Sequence, residues 1–315
     1  MVALQHWFTL LMSQWLIALP WLLVGVFVAN GLFFFVPRNR WESFLPESPW
    51  LQLLYGLGLG LILPVGQCGA FPVTRRLMWQ SGSSSLAIAF WLSAMSLNPF
   101  ILWQIWQAFP ENHGVCFFYT GLSVVIVAII GSIFTWQRQQ ITHRHQDKEV
   151  TQYPAITRPS SYRIALAPIN TSTLPTAKLN ILPVSQKSRL SMGFFNIVKE
   201  CVEWSTWLLF GCLITATIST FLPSALWTEA NLFTIYSTTL TAPLGFFQNT
   251  AIATYWFEYG NGGNSINVLL LSAFLTIPSL VLMVNTFRPK ALLYLSILLC
   301  LSTLLANLWL NFYVF

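Results

Sequence analysis

Charge is what this sequence has least of. Its 315 residues include only 15 Lys and Arg and 9 Asp and Glu, 8% of the chain, against about 25% in soluble domains. Thirteen of those charges fall between Arg138 and Glu203, so the rest of the chain is nearly bare. A water-soluble surface cannot be built from so few, which excludes the soluble enzyme classes. The 55% apolar content also excludes disorder across the whole chain, because disorder requires low hydrophobicity. Among Cys68, Cys116, Cys201, Cys212 and Cys300 there is no CxxC pair, so neither a disulfide framework nor a zinc site is expected. The middles of the apolar runs carry no carboxylate for a proton relay and no His to ligate haem. No Walker motif occurs, so the chain has no nucleotide site of its own. An enzyme is not expected, nor a cofactor, a metal or a nucleic-acid partner.

Long apolar runs are what the sequence has instead. A membrane span needs about 20 mostly apolar residues. Eight stretches meet or approach that length: 12–36, 51–79, 84–109, 116–136, 203–222, 232–257, 265–287 and 291–312. All are expected to be helices, since lipid offers no partner to an open sheet edge. The 15 Trp and 9 Tyr suit a protein anchored at two membrane interfaces. No Lys or Arg precedes the first run and no A-x-A site follows it, so it reads as a retained span and not a cleaved signal.

Eight spans place both termini and the central loop on one side. On that assignment Lys and Arg divide 11 against 4, with Arg38, Arg40, Arg288 and Lys290 on the poorer side. The positive-inside rule then puts the termini and loop in the cytoplasm of a multi-pass plasma-membrane protein. The chain divides into a first transmembrane repeat, 1–136, a basic linker, 137–200, and a second repeat, 201–315. Five prolines (154, 159, 168, 175 and 183) and many Ser and Thr make the linker read as a flexible tether.

The two apolar parts resemble each other. Trp21-Leu22-Leu23-Val24-Gly25 recurs as Trp207-Leu208-Leu209-Phe210-Gly211, at an offset of 186. Pro64, Gly66, Ser93, Ala94 and Pro99 match Pro243, Gly245, Ser272, Ala273 and Pro278 at an offset of 179. Matches at fixed offsets point to internal duplication. The expected fold is all-α, with about eight transmembrane helices in two four-helix repeats. Four spans per repeat preserve direction, so the repeats are expected to be parallel; an odd number would invert them.

Helix breakers cluster at corresponding places. Pro64-Val65-Gly66-Gln67-Cys68-Gly69-Ala70-Phe71-Pro72 interrupts the second span, and Pro243-Leu244-Gly245 through Gln248-Asn249 interrupts the sixth. Pro removes a backbone donor and Gly weakens a helix, so both spans are expected to be discontinuous. Paired interruptions of this kind point to a transporter site; Pro kinks needed only for packing are the plainer alternative. Asn98-Pro99 in the third span and Pro278 in the seventh add further breaks. Asn98 serves equally as helix-to-helix glue or as a solute contact. Gly56-xxx-Gly60 reads as a close-packing face, and Arg75-Arg76 as a basic helix end at the interface, the alternative being that one of them attracts an anionic solute.

The run from Pro64 to Leu77, continuing through Ser93-Ala94-Met95-Ser96-Leu97-Asn98-Pro99, resembles a family of predicted permeases. That family (DUF318, ArsP-type) includes organoarsenical efflux permeases. Its signature is similar to P-x-C-x-C-G-x-x-P-V, a basic helix end, then A-x-P-x-x-N-P. The resemblance implies a multi-span permease in two related halves with a large cytoplasmic loop. Gly66 stands at the first Cys position and Gln67 between the two, so Cys68 alone remains of the thiols. The resulting expectation is a permease moving a small solute, such as a metalloid, outward between the two broken spans. Gly66, Gln67, Cys68, Asn98, Gln248 and Asn249 would line the site, with the bilayer and the solute as partners. A non-transporting scaffold, or a subunit of a larger membrane complex, is the alternative.

Overall fold

The computed structural model describes residues 2–35, 46, 48–81, 83–144, 186–221, 250–258, 262–287 and 289–313. Among these lie eleven helices and no strand: α1 Val2–Phe35, α2 Pro49–Ile62, α3 Gly66–Ser81, α4 Ser84–Ser96, α5 Pro99–Ala108, α6 Gly114–Arg144, α7 Gln186–Phe221, α8 Thr250–Glu258, α9 Gly262–Phe274, α10 Ile277–Thr286 and α11 Pro289–Tyr313. Six segments are long and apolar enough to cross a membrane: Leu4–Leu32, Ser84–Ala108, Gly114–Trp136, Phe194–Phe221, Gly262–Thr286 and Pro289–Phe312. Helices α6 and α7 run into both ends of the expected linker; its middle, 145–185, lies outside the described residues.

The second expected span does not cross. Ser48 caps α2, its hydroxyl accepting from the Leu51 amide at 3.4 Å. Pro64 ends the helix by holding Leu63 extended, at φ −78° and ψ 116°. Gly66 then takes φ +64°, a left-handed conformation that favours glycine, and the chain folds back. At 14 residues, α2 is about 21 Å long, too short for a hydrocarbon core of about 30 Å.

Contacts along α4 establish the hairpin. Helix α2 runs parallel to α4: Ser83 donates to Gln52 at 2.5 Å, and further along Ser93 donates to the Leu57 carbonyl at 2.7 Å. Helix α3 runs the other way, with Gln67 near Met95 and Phe71 near Trp91. The Gly56-xxx-Gly60 face lies on α4; a Cβ on Gly56 would overlap the Leu86 carbonyl, and one on Gly60 would come within 2.7 Å of Ala94 N.

Only residues 63–65 are non-helical, so the unwinding expected through Pro72 is confined to the turn. Pro72 lies inside α3. Gly69 is required for a different reason. A Cβ on it would sit 2.5 Å from the Trp21 carbonyl, and one on Gly25 would overlap Gly69 itself. The glycine lets α1 and α3 touch; it does not loosen the helix.

The long helices alternate in direction. Trp7 meets Thr217, and Asn30 meets Glu200, so α1 and α7 are antiparallel. Arg76 also meets Asn30 while Gly69 lies against Trp21, so α3 runs with α1. Tyr119 reaches Ser96 and Cys116 reaches Leu102, which makes α6 antiparallel to α4–α5. Asn285 meets Glu203 and Gly211 meets Pro278, so α10 is antiparallel to α7. Helix α11 returns to place Asn311 against Asn264. The start of α1 and the end of α11 therefore lie at one end of the bundle. The helix ends flanking the linker lie at the other, which corrects the expectation that termini and linker share a side. The reason is the fold-back of α2–α3, which removes one crossing from the first half.

Candidate site at the hairpin tip and the helix breaks

Two apolar segments break at matching places. Helix α4 ends at Leu97, and Asn98 caps α5, its Oδ1 accepting from the Phe100 amide at 3.0 Å while Pro99 occupies the first turn. Helix α9 ends before Leu275, and Thr276 caps α10 in a reciprocal capping box with Ser279, Pro278 again in the first turn. A capping oxygen and a proline are how a sequence restarts a helix after a break. The halves match in length as well: 13 residues in α4 and α9, 10 in α5 and α10.

The hairpin tip reaches the first of these breaks. Gln67 is buried and its Nε2 points at the Met95 carbonyl, 3.4 Å away. Met95 lies three residues before Asn98, so the tip and the break share a level. Gly66 fits against Trp21, whose ring carbons a Cβ would meet at 3.0 Å. Trp21 in turn lies edge-on to Phe100, with centroids 4.8 Å apart. Cys68 is buried behind the tip. The structure thus gathers Gly66, Gln67, Cys68 and Asn98. Gln248, Asn249, Pro243 and Gly245 lie outside the described residues.

Backbone at the breaks is largely satisfied, as it must be within lipid. Leu63 N–H bonds to Leu59 O at 2.9 Å, Pro64 has no N–H, and Val65 N–H bonds to Leu63 O at 2.8 Å. Tyr119 donates to the Ser96 carbonyl at 3.1 Å, at the end of α4. At the break itself, Asn98 is fully buried and its Nδ2 has no protein partner among the described residues; Trp91 Nε1 and both amide atoms of Asn267 are buried and unpaired elsewhere in the bundle. Buried polar groups are nearly always paired, so this donor has capacity for one more partner.

The charged residues are not where the sequence placed them. Arg75, Arg76 and Glu200 are buried at 5–6% exposure, and none is an interfacial helix end. Arg76 bonds to Glu200 at 2.8 Å; Asn30 bridges them, donating to Glu200 at 2.7 Å and accepting from Arg76 at 3.1 Å. Arg75 pairs with Glu203 at 3.0 Å and lies over Trp204, 5.4 Å from the ring centroid. Asn285 reaches Glu203 at 3.4 Å. Two adjacent arginines on an apolar helix and two glutamates three apart on another were the available signal: neither is tolerable alone in a membrane, and together they neutralise.

The family model of a predicted permease, ArsP_1, matches residues 3–312. The chain belongs to this permease family. The chain is 32% identical over 120 residues to the UPF0718 protein YcgR of Bacillus subtilis, a match covering 38% of this chain and 41% of that relative. It is 20% identical over 282 residues to a putative two-component membrane permease complex subunit of Streptococcus mutans, covering 88% of this chain and 85% of the relative. No solved structure matches. Family and helices together make this a multi-pass membrane protein, a predicted transporter and not a predicted enzyme.

Proposed function

We propose that the protein is a permease that moves a small solute, a metalloid or a related small molecule, outward across the plasma membrane. The solute would pass between the α2–α3 tip and the α4–α5 break, with the corresponding segment of the second half opposite. Gly66 lets backbone approach the solute closely. Gln67 and Asn98 hold its polar groups, and Cys68 lies behind them. Gln248 and Asn249 are proposed as the matching amides. The observation carrying this reading is the unpaired, fully buried Asn98 Nδ2 at a helix break.

The helix directions support a specific topology: six crossings, with the α2–α3 hairpin dipping in and returning. Each half then has three crossings, and the repeats are inverted instead of parallel. All 15 Lys and Arg of the chain belong to segments at or joined to the linker end. The other end is left with Glu111, Glu229 and Glu258. This division is sharper than 11 against 4, and it makes the linker end cytoplasmic, with both termini opposite.

A thermal-shift screen of the purified protein against metalloids, anions and small organics should identify a stabilising solute, and proteoliposomes should then show its flux. Binding without flux would favour the second reading, a subunit of a larger membrane complex. That reading draws on the printed name of the Streptococcus mutans relative. Its test is co-purification of a stoichiometric membrane partner without which flux is absent.

A further inference from the structure

We propose that Arg75, Arg76, Glu200 and Glu203 form a charged gate at the linker end, closed in this structure, which must part to connect the buried site with that side. The proposal rests on the permease reading.

The gate is placed where it would control access. Cys68, at the hairpin tip, precedes Arg76 by eight residues on α3, about 12 Å along the helix. The arginines therefore lie between the tip and the linker end. Their carboxylate partners, Glu200 and Glu203, lie on α7 in the other half of the chain; Asn30 of α1 stays with Arg76 and Asn285 of α10 with Glu203. Separating the halves at this end breaks Arg75–Glu203, Arg76–Glu200 and Asn30–Glu200, and no covalent link.

A merely structural interface has little use for such groups. Removing charges from water is costly, and apolar residues of similar volume usually hold a static interface as well or better. Ionisable groups inside membrane proteins are costly and tend to be functional. The ion pairs fit a surface that must be dry when closed and wet when open: paired they neutralise each other, and parted they are hydrated.

Among the described residues, the corresponding positions of the other half do not carry the device. At the repeat offsets of 179 and 186, Arg75 and Arg76 correspond to Thr254 and Tyr255, and Glu200 and Glu203 to Gln14 and Ile17. None of these is charged. In inverted repeats, the two ends open alternately as the halves exchange conformations. A lock at one end only would bias the resting protein toward closure on the linker side.

The test uses the full chain with Cys68 as its single cysteine, in membrane vesicles of known orientation, and a membrane-impermeant maleimide. In the otherwise unchanged protein Cys68 should resist labelling from the linker side. Glu200→Gln with Glu203→Gln should raise its labelling from that side by about tenfold or more, since labelling reports access of the thiol to water and reagent. The charge swap Arg76→Glu with Glu200→Arg should return labelling toward the starting rate. Unchanged labelling in a folded double-Gln variant overturns the gate. Should that variant fail to reach the membrane, a short, reducible bifunctional thiol cross-linker joining Arg76→Cys and Glu200→Cys, in a chain free of other cysteines, decides; if the link abolishes flux until reduced, the gate stands, and undiminished flux with the link formed overturns it. The labelling arm needs no solute, so failure to find flux in the unaltered protein would refute the permease reading without deciding the gate.

Discussion

Trp7 and Thr217 lie 210 positions apart and share a hydrogen bond of 3.0 Å between the indole N–H and the threonine hydroxyl. With Asn30 and Glu200 joined at the far ends of the same helices, this contact fixes α1 and α7 as antiparallel neighbours. The chain's start is thereby set opposite the linker. Reporter fusions test this directly. A fusion near Pro159 should report cytoplasm, and one after Phe315 should report the opposite compartment. The same compartment for both would restore an even number of crossings in the second half.

Glu200→Ala should be more damaging than Glu203→Ala. The first removes the carboxylate that Arg76 and Asn30 both contact at a site 6% exposed; breaking a buried pair by removing one partner costs about 3–5 kcal/mol. Glu203 retains 25% side-chain exposure, so water can compensate in part for its loss. Thermal unfolding in detergent should rank the two variants in that order, and the reverse ranking would place the structural weight on Arg75–Glu203.

Gly69→Leu should prevent α1 and α3 from packing. Even a methyl at this position meets the Trp21 carbonyl and the Gly25 backbone, neither of which can move aside as a side chain would. Overpacking typically costs about 1–3 kcal/mol, and backbone contacts place this change at the upper end or beyond. Gly58→Leu is the control, since nothing lies within 4 Å of a Cβ there. Membrane yield and melting temperature should fall for the first and hold for the second.

Asn98 separates capping from solute recognition. Losing an N-cap costs about 1 kcal/mol, so Asn98→Ala should lower both stability and flux. Asn98→Ser keeps a capping oxygen but removes the unpaired Nδ2. It should melt close to the parent while losing most transport. Full transport in the Ser variant would reduce Asn98 to a cap.

The all-helical, membrane-embedded character of this chain was legible in the sequence, because a lipid solvent permits few alternatives once charge is so scarce. Pro64 and Pro99 also marked their breaks, since a proline constrains the residue before it whatever surrounds it. What local sequence could not carry was direction. The mostly apolar 14-residue helix ahead of Pro64 looks the same in sequence whether the chain continues across the bilayer or turns back. The choice was made by α4, which packs α2 along one of its sides and α3, in the opposite sense, along another. That fold-back changed the parity of the first half, and with it the end of the bundle at which the linker lies relative to the start of α1. Charge pairing was hidden for the same reason. Arg76 and Glu200 are 124 positions apart; the first read alone as a basic helix end at the interface, and the second fell at the end of the linker. Only the packing of α3 beside α1 and α7 removes water from both and makes each the other's counter-ion.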